Sequence, residues 1–158
     1  DKKESGLMII AIGLKTGRYL REETELKYRH YAVVEGMPNQ EKANWKHYLV
    51  KNSIGLFKPQ TYDKGNESNV EVQHMNSGNG MSLLKFSPEE YFKGQLRAQS
   101  ALQGMPIVGD KRYGSKLNPL QRTCLHIFSL SFNHPKTEKP MEVKTRVPSE
   151  FLRLIKGK

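Results

Sequence analysis

The chain has 158 residues, a length that suits one domain spanning 1–158 with a core of its own. Only 36% of the residues are hydrophobic and the net charge is +10, so the surface is strongly polar, and no apolar run approaches the roughly 18 residues needed to cross a bilayer. The single cysteine, Cys124, excludes an internal disulfide; it has no ligand-spaced partner for a zinc site, reads as a small core residue, and points to a reducing intracellular compartment, cytoplasm or mitochondrion.

In chain order, Leu7 to Ile12 is the longest apolar run and reads as a buried strand. Lys15 to Lys27 is mostly helix formers, with Leu20 and Leu26 as apolar anchors. His30 to Glu35 reads as a second strand, closed by Gly36 and Pro38. Trp45, Tyr48 and Leu49 make an amphipathic patch, strand or short turn, with Trp45 as a packing residue. Lys51 to Asn69 is polar and irregular and reads as a surface excursion. Val70 to Met75 and Ser82 to Phe86 read as paired strands around the turn-rich Asn76-Ser77-Gly78-Asn79-Gly80. Pro88 opens a helix that runs to about Gln103 and stops at Gly104 and Pro106. Cys124 to Phe132 and Met141 to Val147 read as strands, and Pro148 to Ile155 as a closing helix with Phe151, Leu152 and Ile155 on one side. The expectation is α+β: a mixed, mostly antiparallel sheet with flanking helices.

Charge is unevenly placed. From Tyr91 to Lys136 there are seven basic residues (Lys93, Arg97, Lys111, Arg112, Lys116, Arg122 and Lys136) against one acid, Asp110, so this window holds +6 of the +10. A one-sign segment is the footprint of a polyanion. Three motifs stand out: Asp1-Lys2-Lys3-Glu4-Ser5-Gly6-Leu7; Gln95-Leu96-Arg97 followed by Gly104-Met105-Pro106-Ile107-Val108-Gly109-Asp110-Lys111-Arg112-Tyr113-Gly114; and Arg122-Thr123-Cys124-Leu125-His126 followed by Leu130-Ser131-Phe132-Asn133-His134-Pro135 and Val147-Pro148.

Together these motifs resemble the RluA-type family of RNA pseudouridine synthases. The family pattern Asp-x-x-Thr-Ser-Gly-Leu places its aspartate on Asp1. Its later pattern, Thr-Gly-Arg-x-His-Gln-Ile-Arg and then Gly-His-Pro-Ile-x-Gly-Asp-x-x-Tyr-Gly, is matched by Gln95 to Arg97 and by Gly104 to Gly114. The resemblance implies a cofactor-free and metal-free isomerase that breaks the C1′–N1 bond of a uridine, turns the base and rejoins it through C5. The target base must leave its stack. Asp1 is then the catalytic carboxylate, Arg97 its ion-pair partner, and His30 or Tyr31 the group stacking on the base. Lys93, Arg97, Lys111, Arg112, Lys116 and Arg122 are the implied RNA contacts. His126 and His134 fall on structural positions, and Asp110 and Tyr113 shape the turn.

Several positions depart from the pattern. Glu90-Tyr91-Phe92 stand where the family has Thr-Gly-Arg, Gly94 where it has histidine, Glu4 where it has threonine, and His30 where it has tyrosine. The family's first strands precede the position of Asp1, so the domain is expected to be incomplete at its N-terminus, with a protein or ribosomal partner over the open sheet edge. Two readings follow. The preferred one is a synthase-like protein, catalytically impaired, that binds structured ribosomal RNA on or within a ribosomal particle. The alternative is an active uridine-to-pseudouridine isomerase using Asp1.

Overall fold

Ala32, Val33 and Val34 are fully buried at the middle of the second strand, and the sheet is built outward from them. The computed structural model describes residues 4–60 and 65–156. Its strands are β1 (Ser5–Gly6), β2 (Lys27–Glu35), β3 (Lys42–Lys51), β4 (Phe57–Gln60), β5 (Asn66–Gly78), β6 (Met81–Pro88), β7 (Leu125–Asn133) and β8 (Pro140–Lys144). They form one sheet in the order β1-β7-β2-β6-β5-β3-β4, with β8 also paired to β7. Every pairing is antiparallel except β1 with β7. Three helices flank it: α1 (Leu14–Glu22), α2 (Gln95–Leu102) and α3 (Ser149–Lys156), with a 3-10 turn at Lys111–Tyr113. The expected α+β architecture is the one observed.

The best-specified connection is the β5–β6 hairpin. Gly78 faces Met81, which leaves Asn79 and Gly80 as a two-residue loop. Both have positive φ, 55° and 70°, as a type I′ turn requires, and Asn and Gly tolerate that region best. Inside the sheet, Trp45 packs edge-on against Phe86 at 5.6 Å, which is the packing role expected of it. Cys124 is buried in the same core, where desolvation pushes its thiol up to about 11. Helix α3 packs on β5 and β6 through Phe151 and Ile155, both buried, while Leu152 stays 37% exposed.

Four expectations need correction. Leu7 to Ile12 is not a buried strand: pairing stops after Ser5–Gly6, apart from one bond from the Leu7 amide to the Ile127 carbonyl. Met8, Ile10 and Ile12 are 78%, 72% and 92% exposed, because nothing among the described residues covers them. Pro88 does not open a helix; it ends β6, opposite Val70. The helix begins only at Gln95, since Gly94 at φ 92° breaks the right-handed path before it. Part of the Lys51–Asn69 excursion is ordered as β4, which pairs with β3 from Tyr48 to Lys51, and β5 begins at Asn66. The Met141–Val147 strand ends at Lys144.

Phe151 is fully buried and carries the docking of α3. Phe151→Ala is expected to lower stability by about 3–5 kcal/mol, the cost of a large aromatic cavity. Urea denaturation checks this, with an unchanged m-value showing that the unfolded state is not what moved.

Candidate active site and RNA-facing surface

Helix α2 is short, and its buried residues include Gln95, Leu96, Arg97, Ala98, Gln99 and Ser100. An arginine in such a helix cannot leave its charge in water, so the charge must be answered inside. Arg97 is 6% exposed and Asp110 2%. The two meet in a bidentate pair, Nε to Oδ2 and Nη2 to Oδ1, the latter at 2.7 Å. Burial works against the charged guanidinium, but the hydrogen bonds and charge of Asp110 outweigh it and hold Arg97 above its ordinary range. The guanidinium also lies 5.0 Å over the Tyr113 ring. Asp110 therefore does more than shape a turn; it ties the turn to α2.

His30 and Tyr31 are neighbours on a strand and so point to opposite faces. Tyr31 stacks on Phe128 at 4.0 Å. His30 is fully buried and lies 4.5 Å from Tyr91, which in turn is 5.4 Å from Tyr28. Neither ring nitrogen of His30 has a hydrogen-bond partner among the described residues. Desolvation, with a smaller repulsion from His126, lowers His30 to about 3, so the ring is neutral. The Tyr91 hydroxyl donates to Glu4, with both carboxylate oxygens at 2.9 Å. Burial first, then the charge of Glu4, pushes that hydroxyl well above the phenol range. Glu4, Ser5, Leu7, Met8, Ile9, Tyr28, Tyr91, Lys93 and Ile127 line a pocket of about 390 Å³. Its size and its mix of rings and a few polar groups suit one planar heterocycle.

Asp1 lies outside the described residues, so the Asp1–Arg97 pair is an expectation from sequence alone. The other basic residues divide by exposure. Lys93, Lys111, Arg112 and Lys116 are exposed to bulk solvent, where a polyanion would meet them, and Arg112 also donates to the Ile54 carbonyl at 3.1 Å. Arg97 is almost wholly enclosed, with its Nε and Nη2 donors given to Asp110. Arg122 is half-buried and bonds Glu150 at 2.8 Å, the Ser5 hydroxyl at 3.2 Å and the Thr123 carbonyl at 3.1 Å, with its guanidinium 5.1 Å from the Phe151 ring. It is a bracket between β1 and α3, and its charge is matched. His126 bonds the Ser5 hydroxyl at 2.9 Å, and His134 accepts from the turn amides of Lys136 and Thr137 at 3.3 Å. Both act in the fold, as their sequence positions indicate. No group of His, Cys, Asp and Glu among the described residues could hold a metal, and no helix there is long and apolar enough to cross a membrane.

Sequence reading missed three contacts: Asp110 with Arg97, Tyr91 with Glu4, and Phe57 with Phe92, whose rings are 4.8 Å apart. The first had a signal in the one acid of a basic window. The other two join segments distant in sequence and had none.

The fold is shared with known proteins. An uncharacterized RNA pseudouridine synthase of Zymomonas mobilis is 30% identical over 158 residues, covering 96% of this chain and 72% of that protein. Ribosomal large subunit pseudouridine synthase C of Vibrio vulnificus is 26% identical, covering 99% of this chain and 53% of that protein. The human RNA pseudouridylate synthase domain containing 1 superimposes with a TM-score of 0.67 at 21% identity, over 82% of this chain and 58% of that one, which speaks for the fold. No family model matches the chain. The chain belongs to the RNA pseudouridine synthase family. It spans nearly three quarters of the Zymomonas relative but only about half of the Vibrio one.

Buried neutral His30 makes stability depend on acid. Its folded value lies below the ordinary 6.5, so its contribution is complete above 6.5 and is lost as pH falls toward about 3. Across that window stability should fall by up to about 1.4 kcal/mol per pH unit. His30→Phe is expected to flatten this part of the profile, read by urea midpoints at a series of pH values.

Proposed function

We propose that the chain is an RNA-binding member of the pseudouridine synthase family whose isomerase step is impaired, and that it works on or within a ribosomal RNA particle in a reducing compartment, cytoplasm or mitochondrion. The observation that carries the impaired step is the Glu4–Tyr91–His30 arrangement. Breaking the C1′–N1 bond leaves electrons on the base, and a preorganised site has to stabilise that charge. Here a carboxylate faces the pocket, and the Tyr91 hydroxyl that could have donated to the base is engaged by it. Against Tyr91, outside the pocket lining, lies the neutral His30 ring, with no hydrogen-bond partner among the described residues.

RNA as the polyanion is supported by the four exposed cations Lys93, Lys111, Arg112 and Lys116, and by relatives named for the large ribosomal subunit. Four phosphate contacts give a slope of about −3 to −4 in log affinity against log salt, from single strand to duplex. A protein or ribosomal partner over the β1 edge is supported by the exposed side chains of Met8, Ile10 and Ile12 beside it.

A second reading, an active isomerase with Asp1 as nucleophile, is favoured by one observation. Arg97 is held protonated and buried, and its charge reaches the Tyr91 hydroxyl. Ribosomal RNA carrying tritium at uridine C5 separates the two. The expected result is salt-sensitive binding without tritium release; release that Asp1→Asn abolishes would overturn the impaired reading in favour of the active one.

A further inference from the structure

A second cavity lies beside the first, on the other side of Lys93. It has a volume of about 660 Å³, and its lining includes Lys51, Phe57, Phe92, Lys93, Arg112 and Tyr113. Lys93 lines both cavities. Tyr91 and Phe92 are consecutive, yet Tyr91 lines only the first cavity and Phe92 only the second.

Resting on the RNA-binding reading above, we propose that this cavity is a second base site, which takes an unstacked nucleotide next to the one in the Tyr28–Tyr91 pocket. Lys93 then sits at the phosphate between the two bases. The chemistry of the lining selects this occupant. Phe57 and Phe92 are half-buried rings at 4.8 Å, and a nucleobase of any identity can stack on an aromatic ring. Lys51 and Arg112 are exposed cations at the rim and supply the attraction for a backbone phosphate. A stacked duplex cannot present its bases to such rings, so the site selects single-stranded RNA.

The cavity is built rather than incidental. The Tyr113 hydroxyl accepts the Phe57 amide at 3.0 Å, and Arg112 donates to the Ile54 carbonyl at 3.1 Å. These two bonds hold the β3–β4 hairpin against the 3-10 turn, and the turn is held by Arg97 and Asp110. Gly94 makes room: a Cβ there would lie 3.3 Å from the Phe57 ring.

The test uses fluorescence anisotropy with a labelled oligouridylate and with a blunt RNA duplex of the same length. Phe92→Ala is expected to weaken oligouridylate binding roughly tenfold, to leave the duplex unchanged, and to be rescued by Phe92→Trp. Unchanged oligouridylate binding by a Phe92→Ala protein with the wild-type melting temperature would overturn the proposal. Should Phe92→Ala melt early, Lys51→Gln decides, since that side chain is exposed and is not among the four cations of the RNA-binding reading. Its salt slope on oligouridylate should be shallower by about 0.7, the share of one single-strand phosphate contact. An unchanged slope overturns the second site while leaving the RNA-binding reading intact. Absence of RNA binding by the wild-type protein overturns both, which keeps the two failures apart.

Discussion

Enclosing the guanidinium of Arg97 obliges the protein to answer a full positive charge away from water. Asp110 does so with both carboxylate oxygens, and the consequences spread from there. Asp110 opens the 3-10 turn, so the ion pair fixes that turn against α2. Tyr113 on the turn packs on the same guanidinium and receives the Phe57 amide, which brings in the β3–β4 hairpin. Phe57 then meets Phe92, the residue next to Tyr91. The wall of the second cavity is referred back to one buried pair. Such a pair adds little net stability over an apolar replacement, but loss of either partner leaves the other charge stranded.

The parts of the fold legible in the sequence were those set by local chemistry. Asn79-Gly80 between alternating strands could form little other than a hairpin, and Phe151 and Ile155 at helical spacing mark the buried side of α3. The Gln95–Arg97 and Gly104–Gly114 blocks pointed to the family directly. The misreadings share a physical cause, dependence on distant partners. Leu7 to Ile12 has the composition of a buried strand, but burial is a property of what lies beside it, and here the backbone pairing to β7 ends at the Leu7 amide. Pro88 suits a helix start and equally a strand end, and its pairing with Val70 decides between them. In the polar stretch after Lys51, β4 is specified by backbone pairing to β3, which composition does not report.

The same division runs through the site. That Arg97 needed a charged partner was clear from its motif, and so was the departure of residues 30 and 90–94 from the family pattern. That Tyr91 would lie on His30 and bond Glu4 was not legible, because three segments converge there. Three of the departing positions also touch one another. A histidine at 30, an aromatic at 91 and an acid at 4 now form one connected cluster, in which each packs on or bonds another.

Gly94 carries a consequence for how this chain could change over evolutionary time. Its φ of 92° strains any side chain, and the space a Cβ would take is already faced by Phe57. Placing a histidine at that position therefore asks for a new backbone path before α2 and a shift of the Phe57 ring as well. Neither change alone is neutral. Two separate features, the backbone path into α2 and the hairpin contact, thus hold glycine at this position.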